Sequence, residues 1–390
     1  KGEDGYYRFA FFSSATATAE ITTGCVAVTG DLYSIYGDGN NPPSYYKLFY
    51  NCKAITSFAN SPVYNQSMTV SSYESLFEGC SNLTSVPNFS ANDINVAKNG
   101  FKNMFKGCEK LVTAPNWQSA STLSESCYEG MFEGCKMLKN LPRKDQNKGG
   151  FIAGNGGSFP TLAKSCFKNM FKGCTALEYG PLLYPEQNAA SIALADSCFK
   201  GMFSGCTSLQ AAPDLPATTL KDYCYANMFE GCISLKTAPE LPATSLANRK
   251  GCYKMMFADC ANLSFISVSF TDWNETIIIQ GQENAENTEN TEAWVRGVAP
   301  KGVFMGPADL ISFPIFNDSH IPEGWSTTLP DYLCFTGTGN DSDNRVRLRR
   351  NGTPDSDRMA YKKEGDALWT IKETKDIQSV QLKRGEKCYF

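Results

Sequence analysis

The chain is poor in histidine, with one such residue, His320, among 390. Serine–histidine–aspartate triads, cysteine–histidine dyads and most zinc or iron sites need an imidazole, so His320 alone could serve them. It precedes Ile321-Pro322-Glu323-Gly324, a turn-like segment, and we expect a surface or turn residue there. The sequence therefore predicts no catalytic residue and no metal site.

Long apolar runs and an excess of charge of one sign are also missing. Runs such as Thr276 to Ile279 fall far short of the roughly 20 residues that a membrane helix needs, so no transmembrane segment is predicted. Lys and Arg number 36 against 40 Asp and Glu, and the net charge of −4 predicts no nucleic-acid partner. The chain opens with Lys-Gly-Glu-Asp rather than a signal peptide, as expected of a processed or excised chain.

Cysteine is plentiful, but no C-x-x-C pair occurs among the 16 cysteines. Zinc ribbons, iron–sulfur clusters and thioredoxin-like redox sites therefore have no anchor. Neither nucleotide-binding glycine motif is present, although an insertion around residues 143–150 ends in Gly154-Asn155-Gly156-Gly157. We expect a surface loop there, and no cofactor.

The cysteines belong to an internal repeat. Eight F-x-x-C tetrads, spaced by 28, 28, 27, 39, 32, 26 and 28 residues, end at Cys52, Cys80, Cys108, Cys135, Cys174, Cys206, Cys232 and Cys260. Leu or Met stands four residues before each cysteine, and Ile or Leu stands three residues after it. A proline stands seven residues after the cysteine in the six internal copies, but not in the first and last. End copies that differ from the internal ones are expected of capping repeats.

Each copy is predicted to hold one short amphipathic helix followed by an extended run. In the last five copies a second cysteine lies eight residues before the first, and Leu220, Cys224, Met228 and Cys232 share one helix face. Glycine just before the cysteine can end this helix, and the proline favours an extended backbone after it. Copies of this size cannot bury such a helix alone, so they are expected to stack on one continuous core.

These residues resemble the BspA-like leucine-rich-repeat surface proteins of oral and gut anaerobic bacteria, whose consensus carries F-x-x-C-x-x-L. The match covers about Tyr46 to Phe270, and residues 30–38, 294–299 and 321–325 are similar to the entry strand and exit cap of that group. The resemblance implies an α/β fold, a leucine-rich-repeat solenoid in the form of a right-handed β-α superhelix. It also implies a secreted or surface-anchored bacterial protein that contacts host proteins or glycans.

The cysteines could be thiols or disulfides. Two cysteines eight residues apart on one helix are about 12 Å apart by helical rise, beyond the reach of a disulfide. Bridges between neighbouring copies remain geometrically open. A cysteine that recurs at a core position is more simply a small buried apolar residue, and we expect free thiols.

Beyond about residue 329 the pattern changes to short alternating segments, which predict a small antiparallel β domain. Six strands are expected, at 332–336, 345–350, 359–363, 368–372, 380–382 and 387–390. Turn aspartates such as Asp341 and Asp355 are taken as hairpin residues rather than calcium ligands.

The acidic run from Gln280 to Glu292 is expected to be a solvated loop. We divide the chain into an N-terminal β entry segment or cap (1–45), an eight-copy array (46–270), a C-terminal cap of the array (271–328) and the β domain (329–390).

Two classes of function compete. A noncatalytic binding or adhesion module of the cell surface is favoured, because stacked copies present an extended face whose variable positions can change independently. A glycan hydrolase with two carboxylates would need no histidine, but no acidic cluster suggests such a pair. A structural spacer in a longer surface protein is the third alternative. The predicted partner is a host or extracellular protein or glycan, bound by a monomer.

A partner is expected on the residues that directly follow each repeat leucine. These form two rows that mix polar types: Thr84, Val112, Lys139, Glu178, Gln210 and Lys236, then Ser85, Thr113, Asn140, Tyr179, Ala211 and Thr237. Lys139 is a ligand-binding candidate from the first row. Tyr179, Trp117 and Tyr184 are aromatic candidates, because exposed aromatic rings are enriched at interfaces and stack on sugars. The alternative for Trp117 and Tyr184 is that they cover loop connections.

Overall fold

The structure is a computed structural model, and its chain divides into two compact units, Lys1–Thr327 and Thr328–Phe390. Up to residue 328 it describes residues 8–14, 16–17, 19–29, 44–60, 68–88, 95–115, 122–139, 141, 161–181, 183, 193–247, 249–271, 273, 290–312 and 314–328. Beyond residue 328 it describes the backbone of six strands. The elements up to residue 328 are β1 (Val26–Val28), β2 (Ile55–Phe58), β3 (Asn95–Val96), β4 (Thr122–Leu123), β5 (Phe265–Ser267), β6 (Val303–Met305), α1 (Ala308–Ile311) and β7 (Ser326–Thr328).

Each repeat copy forms one coil, and successive coils are joined by backbone hydrogen bonds. Between Ser165 and Gly173 every second N–H, beginning with Ser165, donates to a carbonyl of the next coil at 2.7–3.0 Å. From Cys166 to Cys174 the intervening N–H groups donate three residues back within their own coil, at 3.0–3.2 Å. The chain therefore alternates between turn hydrogen bonds and coil-to-coil hydrogen bonds.

The predicted helix of each repeat is wrong, because an α-helix would direct these N–H groups four residues back. Every fourth residue instead takes a positive φ, as at Ser165 (55°), Asn169 (55°) and Gly173 (72°). Ser, Asn and Gly fill most such positions, and Gly and Asn tolerate the left-handed region better than branched residues. The glycine expected to end a helix is thus the last of three left-handed residues in a continuous series of turns.

The core is built of columns, with each coil adding one member to every column. Phenylalanines of the tetrads stack with ring centroids 5.4–5.7 Å apart from Phe49 through Phe257. A second aromatic column, four residues earlier, runs from Tyr45 to Tyr253 at 5.4–6.2 Å. The repeat Met and Leu residues are buried beside them. Each coil thus buries its apolar residues against its neighbours, as expected for repeats that cannot fold alone.

The long insertion leaves this stacking undisturbed. Although 39 residues separate Cys135 from Cys174, the two coils are direct neighbours, with the Phe132 and Phe171 rings 5.7 Å apart. The Gly134 N–H donates to the Lys172 carbonyl at 2.7 Å. The insertion at 143–150 and the glycines 154–157 lie outside the described residues.

After each repeat leucine the chain runs extended beside the neighbouring coil, as the proline pattern predicts. Parallel bridges join Ser57 to Ser85, Tyr179 to Ala211 and Thr237 to Phe265. At the ends of the array the bridges lengthen into strand pairs: β1 pairs parallel with β2, and β5 pairs parallel with β6 in a three-stranded sheet of order β5-β6-β7. β3 and β4 form a further parallel pair before the turns of two adjacent coils.

The N-terminal end of the array is closed by Phe9, which takes the place of a tetrad phenylalanine one coil before the first. Its ring stacks on Phe49 at 5.2 Å and its N–H donates to the Leu48 carbonyl at 2.8 Å. Its carbonyl accepts the thiol of Cys52 at 2.6 Å. The entry strand expected at residues 30–38 lies outside the described residues.

The exit segment continues the stack as a coil without cysteine. Phe257 and Asp259 donate their N–H groups to the carbonyls of Trp294 and Arg296, at 2.8 and 2.6 Å. The expectation of a solvated loop from Gln280 to Glu292 is wrong at its end: Asn290 is buried, and its Nδ2 donates to the Leu246 carbonyl at 3.0 Å. Residues 280–289 lie outside the described residues.

His320 is buried, not a surface residue as its sequence context suggested. Its ring meets the Trp273 ring edge-on, with centroids 4.8 Å apart, and Nδ1 lies 2.8 Å from Asn317 Oδ1. Its carbonyl accepts Trp294 Nε1–H at 2.8 Å. The turn that holds His320 is therefore buried because the Trp273 ring packs on its imidazole and Trp294 Nε1–H needs its carbonyl as an acceptor.

The second unit contains β8 (Cys334–Thr336), β9 (Arg345–Val346), β10 (Arg358–Lys363), β11 (Thr370–Glu373), β12 (Val380–Gln381) and β13 (Lys387–Tyr389). All six overlap the predicted strands. Their pairs are antiparallel, in a four-stranded sheet of order β11-β10-β13-β8 and a two-stranded sheet of β12 and β9. Asp341 and Asp355 lie outside the described residues.

Candidate functional site

Some members of the two predicted rows are joined by backbone hydrogen bonds between coils, and we call these rows the leucine rows. In the first row Lys139 N–H donates to the Val112 carbonyl at 3.0 Å, and Gln210 N–H donates to the Glu178 carbonyl at 2.9 Å. The second row includes the bridge between Tyr179 and Ala211. Each position is anchored by the buried leucine before it, so the backbone of the face is fixed while its side chains can vary.

Most side chains of the leucine rows are exposed. Lys139, Glu178 and Gln210 are exposed, and Tyr179 keeps 49% of its surface accessible, although aromatic residues elsewhere in the array are mostly buried. The Tyr179 hydroxyl donates to Gln210 Oε1 on the next coil at 3.4 Å. Lys139 and Tyr179 are both exposed and lie on neighbouring coils. Trp117, Tyr184 and Asn140 lie outside the described residues.

A second surface, which the sequence analysis missed, carries alternating charge. We call this surface the charged rows. Each row contains the residue that directly precedes an equivalent left-handed position in successive coils. One coil contributes three lysines, the next three glutamates and the next three lysines: Lys98, Lys102 and Lys106; Glu125, Glu129 and Glu133; Lys164, Lys168 and Lys172. Lys98 bonds Glu125 at 2.8 Å, Lys106 bonds Glu133 at 3.3 Å, and Glu129 bonds both Lys102 and Lys168, at 3.5 and 2.9 Å. The charged positions are four residues apart within each copy, and comparing their charges between successive copies would have revealed this pattern.

Glu129 shows how the charged rows balance burial against pairing. Burial opposes its ionisation, but hydrogen bonds from Lys168 and Ser126 and the nearby charge of Lys102 outweigh that penalty, so its pKa lies below its usual value. The carboxylate therefore stays charged, and it pairs with lysines on both neighbouring coils. Such partly exposed pairs between coils add modest stability.

The thiols of the array are chemically inert by their surroundings. Burial raises the pKa of the tetrad cysteines Cys52 and Cys260 to about 11 and about 12, and it raises the pKa of the other six tetrad cysteines as well. It also raises the pKa of Cys127 and Cys224, which lie outside the tetrads, to about 12. The thiolate is the nucleophile and the metal ligand, and burial denies these cysteines that form. The described cysteines are free, and within the described ranges no group of three or more His, Cys, Asp or Glu side chains is placed to hold a metal ion.

No protein-family model matches the chain, and no curated protein matches it. Among solved structures it is similar to the crystal structure of a leucine-rich repeat protein from Bacteroides ovatus, at 15% identity. That match covers 73% of this chain and 86% of the other, with a TM-score of 0.21. In the part of the chain that the structure describes, no helix is long and apolar enough to cross a bilayer.

Proposed function

We propose that the array is a noncatalytic binding or adhesion module, a leucine-rich-repeat solenoid of the BspA-like type. It acts at the bacterial cell surface or outside the cell and contacts a host or extracellular protein or glycan as a monomer. The observation that carries this proposal is the exposed Tyr179 on a face whose backbone is fixed by coil-to-coil hydrogen bonds. An exposed aromatic ring on a rigid support suits recognition, because little conformational entropy is lost on binding.

The contact surface of this proposal is the pair of leucine rows, with Lys139 and Tyr179 as its central members and Trp117 and Tyr184 as further aromatic candidates. The rows mix a cation, an anion and an amide: Lys139, Glu178 and Gln210. Such a surface fits hydrogen-bonding partners such as glycans or polar protein faces better than it fits a lipid. The division into caps, array and β domain at residues 45, 270 and 328 belongs to the same proposal.

The test is a binding screen of the full chain against immobilised glycans and matrix proteins, with turnover of polysaccharides measured in parallel. We expect saturable binding to at least one protein or glycan and no hydrolysis. Absence of any signal at high protein concentration would favour a structural spacer. Hydrolysis that disappears when a single Asp or Glu is replaced would establish the carboxylate hydrolase instead.

A further inference from the structure

The alternation of charge breaks down in the second half of the array. The middle charged row runs Lys102, Glu129, Lys168, Lys200, Ala226, Lys254 and Glu292. Backbone bonds fix this order: Asn169 N–H donates to the Lys200 carbonyl at 2.8 Å, and Asn227 N–H donates to the Lys254 carbonyl at 2.8 Å. Four successive coils, from Lys168 to Lys254, therefore place no carboxylate in this row.

Lys200 is the central residue of this interval. Lys168 is paired with Glu129 on one side, and Lys254 is paired with Glu292 on the other, but Lys200 has Lys168 and Ala226 as its row neighbours. Burial lowers the pKa of Lys200, and repulsion from Lys168 and Lys254 lowers it further. A cation that its neighbours repel gains more from an external anion than a paired one does.

Two carboxylates of the adjoining charged rows, those of Glu230 and Asp222, accept hydrogen bonds from groups other than the lysine side chains. Glu230 Oε2 accepts Asn227 Nδ2–H at 3.0 Å and the Ser204 hydroxyl at 3.5 Å. Asp222 Oδ1 accepts the backbone N–H of Lys250 at 3.0 Å. Asp196 is exposed and lies in the row beside Lys164. Neither Glu230 nor Asp222 therefore pairs with Lys168, Lys200 or Lys254, which we call the lysine row.

An aromatic ring borders the lysine row at an unusual backbone position. Tyr223 has φ of 54°, where the equivalent residues of the preceding coils are Ser or Asn. A bulky side chain in the left-handed region is an outlier that requires compensation. The ring lies beneath Lys200 Nζ, 5.2 Å from its centroid, and covers Gly251, whose absent side chain leaves it room. Tyr223 thus holds the Lys200 ammonium group in place and offers an aromatic edge beside it.

We propose that the lysine row, formed by Lys168, Lys200 and Lys254 with Tyr223 at its edge, binds an acidic polysaccharide through its sulfate or carboxylate groups. Neighbouring coils are about 5 Å apart, as hydrogen-bonded strands are. Lys200 is one coil from Lys168 and, because Ala226 lies between them, two coils from Lys254, so the cations are separated by whole multiples of this spacing. A polymer that carries an anion on successive sugars matches such an interval, and a sugar face can pack on Tyr223. This site uses different rows from the leucine-row face and stands independently of it.

The test is affinity electrophoresis of the full chain in gels that contain dextran sulfate, polygalacturonate, neutral dextran or polyglutamate. We expect retardation by one or both acidic polysaccharides and not by dextran. Lys200→Glu should weaken it about tenfold, because the change removes one attraction and adds a repulsion. Lys200→Gln should weaken it less, and Tyr223→Ser, which restores a residue used at this position in other coils, should weaken it as well.

Lys301→Glu is the matched control, since it makes the same charge change at an exposed lysine in the exit cap. Thermal melting of each variant establishes that it is folded. Equal weakening by Lys301→Glu and Lys200→Glu would show diffuse charge attraction and would overturn the site. If neither acidic polysaccharide retards the chain at physiological salt, the proposed site is also overturned. If polyglutamate binds more tightly than the polysaccharides, the lysine row is assigned to acidic peptides instead.

Discussion

The thiol of Cys174 donates a hydrogen bond of 3.1 Å to the backbone carbonyl of Phe132, one coil earlier. The same bond, at 3.0–3.2 Å, is made by Cys80, Cys108, Cys135, Cys206, Cys232 and Cys260. That carbonyl also accepts the Cys135 N–H within its own coil, at 3.1 Å. The recurrent cysteine therefore supplies a small apolar volume together with a weak donor, which Ala or Val at this position would lack.

Alkaline pH should destabilise the array through these thiols. Their pKa is raised in the folded state, to about 11 for Cys52 and about 12 for Cys224, whereas an unfolded cysteine titrates near 8.5. Above about pH 8.5 the unfolded chain releases protons that the folded chain keeps, so the free energy of unfolding falls as pH rises towards the folded pKa values. Each thiol should contribute a slope of about 1.4 kcal/mol per pH unit.

Denaturant unfolding between pH 8 and pH 10 in the presence of a reductant measures this slope. Cys224→Ala should reduce it by about one thiol's share, whereas Lys301→Gln should leave it unchanged. A stability that does not change over this interval would contradict the raised thiol pKa values. Alkylation of the native chain, followed by mass spectrometry, should modify the exposed Cys25 and leave the tetrad cysteines unmodified until the chain is denatured.

The register of the coils can be tested at two positions of one repeat. Met228 is fully buried and Lys236 is exposed. Met228→Asp places an unpaired charge in the core and should cost about 4 kcal/mol or more, enough to unfold part of the array. Lys236→Asp should change the stability by less than about 0.5 kcal/mol. Equal losses in thermal melting would show that the register is misassigned.

On adjacent coils, a left-handed asparagine packs closely against a left-handed glycine, as Asn169 does against Gly201. A Cβ atom on Gly201, whose φ is 64°, would lie 2.3 Å from Asn169 Oδ1. Gly201→Ala should therefore cost at least about 1–2 kcal/mol, the penalty of the left-handed region, with the clash added to it. Asn103 and Gly130 repeat the arrangement, with 2.4 Å between the corresponding atoms.

Removing the Asn169 side chain separates the clash from the backbone strain. Adding Asn169→Gly to Gly201→Ala should restore the part of the loss that the clash causes, because Oδ1 is then absent while the strain at position 201 remains. Additive losses in denaturant unfolding of the single and double variants would show that the two residues do not interact.

The sequence predicted the stacking and the core but not the local backbone. The spacing of Phe, Cys and Leu identified the buried columns, because burial depends on side-chain chemistry that recurs in every copy. The same spacing of four also satisfied the period of a helix, as with Leu220 and Cys224, and this led to the wrong element. The distinguishing residues were Ser, Asn and Gly at 165, 169 and 173, which indicate left-handed turns. Their role depends on hydrogen bonds to the next coil, which a pattern within one coil does not contain.

The sequence predicted the position of the leucine rows but not that of the charged rows. The leucine rows followed from the repeat register, so Lys139 and Tyr179 could be placed on neighbouring coils directly after the repeat leucines. The charged rows were missed because the pairing of Lys168 with Glu129 spans two copies 39 residues apart. Burial of His320 was missed because Trp273 and Trp294, which cover it and bond to it, are distant in the chain.

The leucine-row face is tested by replacing Lys139 and Tyr179 together. Both residues are exposed and follow buried leucines, so Lys139→Ser with Tyr179→Ser should leave the thermal stability within about 0.5 kcal/mol of the parent. Binding to the partner found in the screen should weaken at least tenfold, since an exposed aromatic ring and a cation are typical of residues that dominate interfaces. Lys53→Ser with Ile233→Ser, both exposed outside the leucine rows, is the matched control and should retain binding. If the control loses as much affinity as the double variant, or if the double variant binds like the parent, the partner is not held by the leucine rows.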